Sequence, residues 1–291
     1  MSAGPSVIRK RGAGNRSNLE LLNSLRDNFV AAQQDYAPVT NGDGPAPTPV
    51  RAWTEHTHDT LFIPRIDWAG AGLQDETNQY EITLKLFFLQ DAPVEQREQY
   101  IKDALDLVRK ELGFETIDLL VLSFPGMSFE GNCEMEAERI NAQQGNLEEE
   151  VATWKVVEKL HQQGLVNRLG VAEFGGKKLS MFIDRTSIRP AVNQINLKNC
   201  CDVPPPLKKV AEEQGVELNV HTDVTDILPC GTLREILSPK GAGVLASCPE
   251  GNDGLKGEIA PRWVVRYVAF VKDRGVVENK GYFAGAEWDE R

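Results

Sequence analysis

The stretch PAVNQINLKNCCDVPPPLKKVAEEQGVELNVHTDV, residues 190–224, gathers side chains that could do chemistry. Cys200 and Cys201 are adjacent, three prolines follow at 204–206, and His221 closes an apolar run. Thiols and a histidine are the raw material of a redox site or a metal site. No C-x-x-C pair occurs and the four histidines are scattered, which argues against structural zinc. Five cysteines, an odd number without regular spacing and without an export signal, point to a reduced, cytoplasmic setting. A second chemical signal is Lys85 in ITLKLFF, a cation inside an apolar run. Left unpaired in a core it would be costly, so the bland reading of Lys85 is a buried ion pair, for which Glu173 or Asp223 would qualify.

These residues need elements to hold them. DTLFIP, YEITLKLFFL, IDLLVLSFP, NRLGVAEF, PAVNQIN and VELNVHT are short apolar runs rich in β-branched residues, which predicts buried parallel strands. Helical spacing lies between them. Ile101, Leu105, Val108 and Leu112 recur over 95–112 and stop at Gly113. Leu147, Val151, Trp154, Val157 and Leu160 form a stripe over 147–163 closed by Gly164, and another helix opens at the prolines 204–206. Alternating strands and helices imply right-handed crossovers and an α/β fold, with six or seven strands favouring a (β/α)8 TIM-type barrel, irregular in its N-terminal part. No G-x-G-x-x-G or P-loop pattern follows any strand.

Around that core, residues 1–17 are basic, Gly/Ser-containing and expected to be disordered. A helix is expected over 18–34. Residues 18–291 are read as one barrel domain with insertions near 37–53, 128–150 and 231–261. Residues 130–150 carry seven glutamates against one arginine and read as a solvated acidic loop with a helix start at its end. A net charge of −11 argues against non-specific nucleic-acid or anionic-membrane binding, and no long apolar run is present.

IDLLVLSFP, TWKVVEKLHQQGLVNRLGVAEF and RPAVNQI resemble, in order and spacing, the middle of the aldo-keto reductase barrel. The resemblance spans roughly residues 80–224. It implies NADPH-dependent carbonyl reduction by an Asp–Tyr–Lys–His tetrad, of which little remains. Lys85 stands at the lysine position and Ser123 replaces the histidine. FIPRIDWAGAGLQDETNQY lacks the Asp and Tyr motifs, and Tyr80 is too close to Lys85 to act from a separate strand. In the nicotinamide pocket Ala172 and Glu173 replace a Ser-Asn pair, Gln194 is retained, and His221 stands where a tyrosine would stack. Lys280 lies near the expected grip on the 2′-phosphate. Losing two hydrogen bonds costs roughly 1–3 kcal/mol, and losing the proton donor about 10²–10⁴ in rate. Hydride chemistry is therefore expected to be absent; residual NADP(H) binding stays open.

NQINLKNCCDVPPPL and the ending RWVVRYVAFVKDRGVVENKGYF are also similar to the regulatory (modifier) subunits of glutamate–cysteine ligase. That resemblance implies a non-catalytic partner of the ligase catalytic subunit, forming a heterodimer, improving glutamate use and relieving glutathione feedback inhibition. Cys200 and Cys201 are then candidates for an intersubunit disulfide; the bland reading is two small thiols packed at a strand end. The competing functional reading is an NADPH-dependent reductase with a rearranged acid, and a third is an unrelated scaffold.

Overall fold

Strand and helix signals between residues 80 and 220 fold in the order that their periodicity implies. The computed structural model describes residues 1–5, 17–38, 48–129, 133–197, 202–246 and 254–289. The first part of the chain forms β1 (Ser2–Pro5), α1 (Ser17–Asp35), α2 (Val50–Trp53), β2 (Glu55–Thr57) and β3 (Thr60–Phe62). The central part runs β4 (Tyr80–Phe88), α3 (Arg97–Leu112), β5 (Ile117–Ser123), α4 (Glu134–Asn141), α5 (Leu147–Gln162), β6 (Val166–Ala172) and α6 (Gly176–Ile183). It continues through β7 (Val192–Ile195), α7 (Pro205–Gln214) and β8 (Glu217–Val220). The chain ends with α8 (Thr232–Leu237), β9 (Glu258–Val271) and β10 (Val276–Asp289).

The fold is α/β around a mostly parallel sheet of order β1-β10-β9-β4-β5-β6-β7-β8. β4 to β8 pair in parallel, each neighbour reached through at least one helix. The helices stop where their sequences say they should. Gly113 caps α3 at φ +73°, a left-handed conformation that strains any residue with a Cβ. Pro204 precedes α7 and prolines fill its first turn, where a missing N–H costs nothing. Gly176 is small for a different reason: a Cβ there would meet the Pro206 backbone at 2.7 Å, where α6 crosses α7.

Irregularity lies on both flanks of the parallel strands. RWVVRYVAFV is an apolar, β-branched and aromatic run that turns through Lys272–Gly275 and folds as the antiparallel hairpin β9–β10, with β9 beside β4. Residues 2–5, expected within a disordered segment, instead form β1. The exposed edge of β10 offers backbone groups that recruit it, with Ser2 opposite Phe283. Residues 6–16 lie outside the described part. The run DTLFIP, expected as a buried parallel strand, supplies only β3, paired antiparallel with β2 in a separate two-stranded sheet. Its three strand residues end before Pro64, leaving too little ladder to enter the main sheet.

Two cores flank the sheet. Alternate residues of β4, Tyr80, Ile82, Leu84, Leu86 and Phe88, pack against apolar stripes of α3, α5, α6 and α7. The opposite parity, represented by Phe87 and Leu89, joins Val264, Tyr282 and Ala284 beneath Leu21, Leu25 and Phe29 of α1 and Leu233 and Ile236 of α8. A smaller cluster, Leu119, Val121, Ala172 and Val192, lies on β5–β7. Each fully buried side chain of this size contributes about 1.5–3 kcal/mol, so α1 is a structural cover for the inner face of the hairpin.

Candidate functional site

Parity decides which chemistry-bearing residues meet. Lys85 shares its face of β4 with Phe87, away from the helix-packed side, and is opposite Arg266 in the β4–β9 register. Lys85 is 2% exposed and its ammonium pairs with Asp223 Oδ2 at 3.1 Å. Arg266 takes the other carboxylate oxygen, Oδ1. One buried carboxylate therefore serves two cations drawn from different strands.

His221 and Glu173 complete the cluster. His221 Nδ1 accepts a hydrogen bond from the Asp223 backbone N–H at 3.0 Å, which places the ring proton on Nε2. Nε2 lies 2.8 Å from Glu173 Oε1, yet that oxygen has no hydrogen bond in good alignment. The contact is electrostatic proximity more than a directed bond. Asn196 binds the cluster from the end of β7: its side chain donates to the Asp223 carbonyl at 2.8 Å and its N–H to Glu173 Oε2 at 3.4 Å.

Charge balance follows from burial. Desolvation lowers the Lys85 pKa, with Asp223 opposing it in part. Burial pushes the Asp223 carboxyl up, but the Lys85 and Arg266 charges outweigh it and hold the group below the usual carboxylate range. Asp223 stays ionised at neutral pH as the internal counter-ion of the cluster.

The backbone under Glu173 is unusual. Its φ of +64° is left-handed for a residue with a Cβ, at a cost of about 1–3 kcal/mol. Hydrogen bonds fix it there: its N–H donates to the Gln194 carbonyl at 2.7 Å, and Asn141 Nδ2 donates to its own carbonyl at 2.6 Å. Asn141 Oδ1 accepts from Gly175 N–H, and Glu138 accepts from the N–H groups of Gly176 and Lys177 at the start of α6. Both belong to α4. The stretch expected as a solvated acidic loop is thus α4 and the start of α5, with Glu138 and Glu150 buried and Glu150 paired to Lys178 at 2.8 Å. Asn146 opens α5 by accepting from Glu148 N–H at 3.1 Å.

A cleft of about 500 Å³ opens above the carboxyl ends of β4, β5 and β6, lined among others by Phe88, Gln90, Met127, Phe129, Glu173 and Asn196. The expected pocket residues do not converge on it. Glu173 lines it, whereas Ala172, Gln194 and His221 are set back around the cluster. Lys280 sits in β10, its ammonium held by Glu20 of α1 at 2.5 Å, and does not line the cleft. The hairpin register carries it elsewhere. Ser123 is buried at the end of β5, opposite Phe87. Cys200 and Cys201 lie outside the described residues. Tyr80 faces the helix-packed core, stacking edge-on against Phe114.

The groups missed in the sequence are Arg266, Asn141, Glu138 and Asn196. Arg266 left a signal: a cation flanked by apolar residues in WVVRYVAFV, on the same logic that exposed Lys85. The α4 residues left none, since buried caps and exposed carboxylates look alike in an acidic stretch.

A nicotinamide dinucleotide does not fit these residues. Among the described residues the charged groups lining the cleft are Glu173 and Asp226, both carboxylates, and Lys85 and Arg266 are already engaged by Asp223. A pyrophosphate would meet repulsion where it needs cations or N–H groups.

Comparison with known proteins places this geometry. The aldo/keto reductase family model matches residues 67–225. A putative glutamate–cysteine ligase regulatory subunit of Schizosaccharomyces pombe is 26% identical over 228 residues, covering 75% of this chain and 75% of its own. The human glutamate–cysteine ligase regulatory subunit is 24% identical over 213 residues, covering 73% and 68%. Among solved structures, a Bombyx mori aldo-keto reductase in complex with NADP has 20% identity and covers 55% of this chain and 52% of its own, with a TM-score of 0.34.

Proposed function

The chain belongs to the aldo/keto reductase family, and we propose that within it this protein is a regulatory subunit of a glutamate–cysteine ligase that does no hydride chemistry itself. Support comes first from relatives bearing that name over about three-quarters of the chain. The observation that carries the non-catalytic part is the lining of the cleft. A catalytic lysine of this family would act beside a tyrosine acid, and no tyrosine lines the cleft among the described residues.

Tyr282, opposite Arg266 in the hairpin, is the inner-face tyrosine nearest the cluster. Burial pushes its phenol well above its ordinary value, so it would donate a proton poorly at neutral pH. That argues against the second reading, a reductase with a rearranged acid.

As a regulatory subunit in the cytoplasm, the protein binds the ligase catalytic subunit and favours its glutamate-competent, less glutathione-sensitive state. Only a difference in affinity for the two states can do this, and about 1–3 kcal/mol of coupling suffices. Sedimentation of the two chains together should give a 1:1 heterodimer whose formation does not depend on NADPH. Two independent peaks at micromolar concentrations, or NADPH oxidation with a panel of carbonyls, would remove the proposal.

A further inference from the structure

We propose that the cleft above β4–β6 binds a small cationic amine, with its ammonium set against Glu173. Four observations converge on this. First, among the described residues the charged ones lining the cleft are Glu173 and Asp226, so their field favours a cation. Second, Glu173 is 2% exposed and its Oε1 lacks an aligned hydrogen bond, despite His221 at 2.8 Å. A buried carboxylate oxygen whose one neighbouring donor is poorly aligned retains acceptor capacity that a ligand N–H can use. Third, the left-handed backbone of Glu173 is fixed by Asn141 and Gln194, and strain of this kind concentrates where a side chain must be presented to something.

Fourth, the remaining wall selects the body of the ligand. Phe88, Leu89, Met127, Phe129 and Val224 give it an apolar, partly aromatic portion beside the polar Gln90, Ser128 and Asn196, which suits a cation with a hydrocarbon portion. Its volume of about 500 Å³ is within the range of small-molecule sites. Among the described residues a zwitterion's carboxylate would find no free cation at the cluster, since Lys85 and Arg266 are both held by Asp223. The inference does not depend on the ligase reading, since the site lies wholly within this chain.

Isothermal titration of the full chain with benzylamine, benzoate, benzyl alcohol and NADP+ tests it. Saturable benzylamine binding is expected, at least tenfold tighter than benzoate or benzyl alcohol, and weakened at least tenfold in Glu173→Gln. Thr225→Phe, a half-buried rim position that narrows the cleft without touching the charge cluster, should weaken it comparably. It decides the question if Glu173→Gln does not fold. Benzoate or NADP+ binding as tightly as the amine would overturn the assignment. So would benzylamine affinity unchanged in a folded variant, or no benzylamine binding at millimolar concentration.

Discussion

The parallel strands β4–β8 and the antiparallel flank of β9, β10 and β1 bury apolar surface on the same sheet by different means. The parallel part is covered by helices that its own crossovers supply, α3 to α7, and its core alternates strand and helix along the chain. The flank has no crossover helix between β9 and β10, and its inner face is covered by α1, more than 200 residues away in sequence, together with α8. The charge cluster sits where the two meet. Lys85, Glu173, His221 and Asp223 come from the parallel part and Arg266 from the hairpin. The family model matches residues 67–225, and the hairpin beyond them adds Arg266 to an internal ion network with Lys85 and Asp223.

The largest way to break this arrangement is at the junction. Asp223→Ala removes the carboxylate paired directly with buried Lys85 and half-buried Arg266 and should cost about 3–5 kcal/mol in urea unfolding. Lys85→Met keeps the Asp223–Arg266 pair and should cost clearly less. Equal losses in the two variants would contradict the shared role of Asp223.

Next is the cover of the flank. Leu25→Ala on α1 should cost about 3 kcal/mol, as for other fully buried leucines. Hydrogen exchange should locate the loss: amides of β10 lose protection while those of β5 and β6 keep theirs. Uniform loss would mean that the two parts unfold as one.

Within the parallel part, Asn141→Ala removes the hydrogen bonds to the Glu173 carbonyl and the Gly175 N–H, for about 2 kcal/mol. Asn146→Ala removes only the α5 cap, about 1 kcal/mol. The pH dependence sharpens the junction further. Asp223 has a folded pKa below its unfolded value of about 3.9, so its stabilisation is complete above that value. It is lost as pH falls through the folded pKa. Acid unfolding profiles of Asp223→Asn should lack that limb below about pH 4, whereas wild-type protein shows it.

Legibility in the sequence tracked the same division. Strands β4 to β8 and helices α3, α5 and α7 were readable because short apolar runs, 3.6-residue stripes, Gly113 and the prolines 204–206 all act locally. The need of Lys85 for a carboxylate was readable too, since a cation in an apolar run demands one. What pairs with the tail was not. RWVVRYVAFV is not among the runs read as strands, and nothing local says that it lies antiparallel beside β4 or that α1 covers it. Glu173 at φ +64° was equally opaque, because its conformation is imposed by Asn141 and Gln194 from other elements. Lys280 misled for the same reason: its place depends on a hairpin register that only the fold decides.

The central claim is tested most directly by ligase turnover of the catalytic subunit at limiting glutamate, titrated with this chain and repeated with added glutathione. The account predicts that apparent glutamate affinity rises, that glutathione inhibition weakens, and that both effects saturate at one equivalent. Turnover and inhibition unchanged by the folded chain at several equivalents would contradict it.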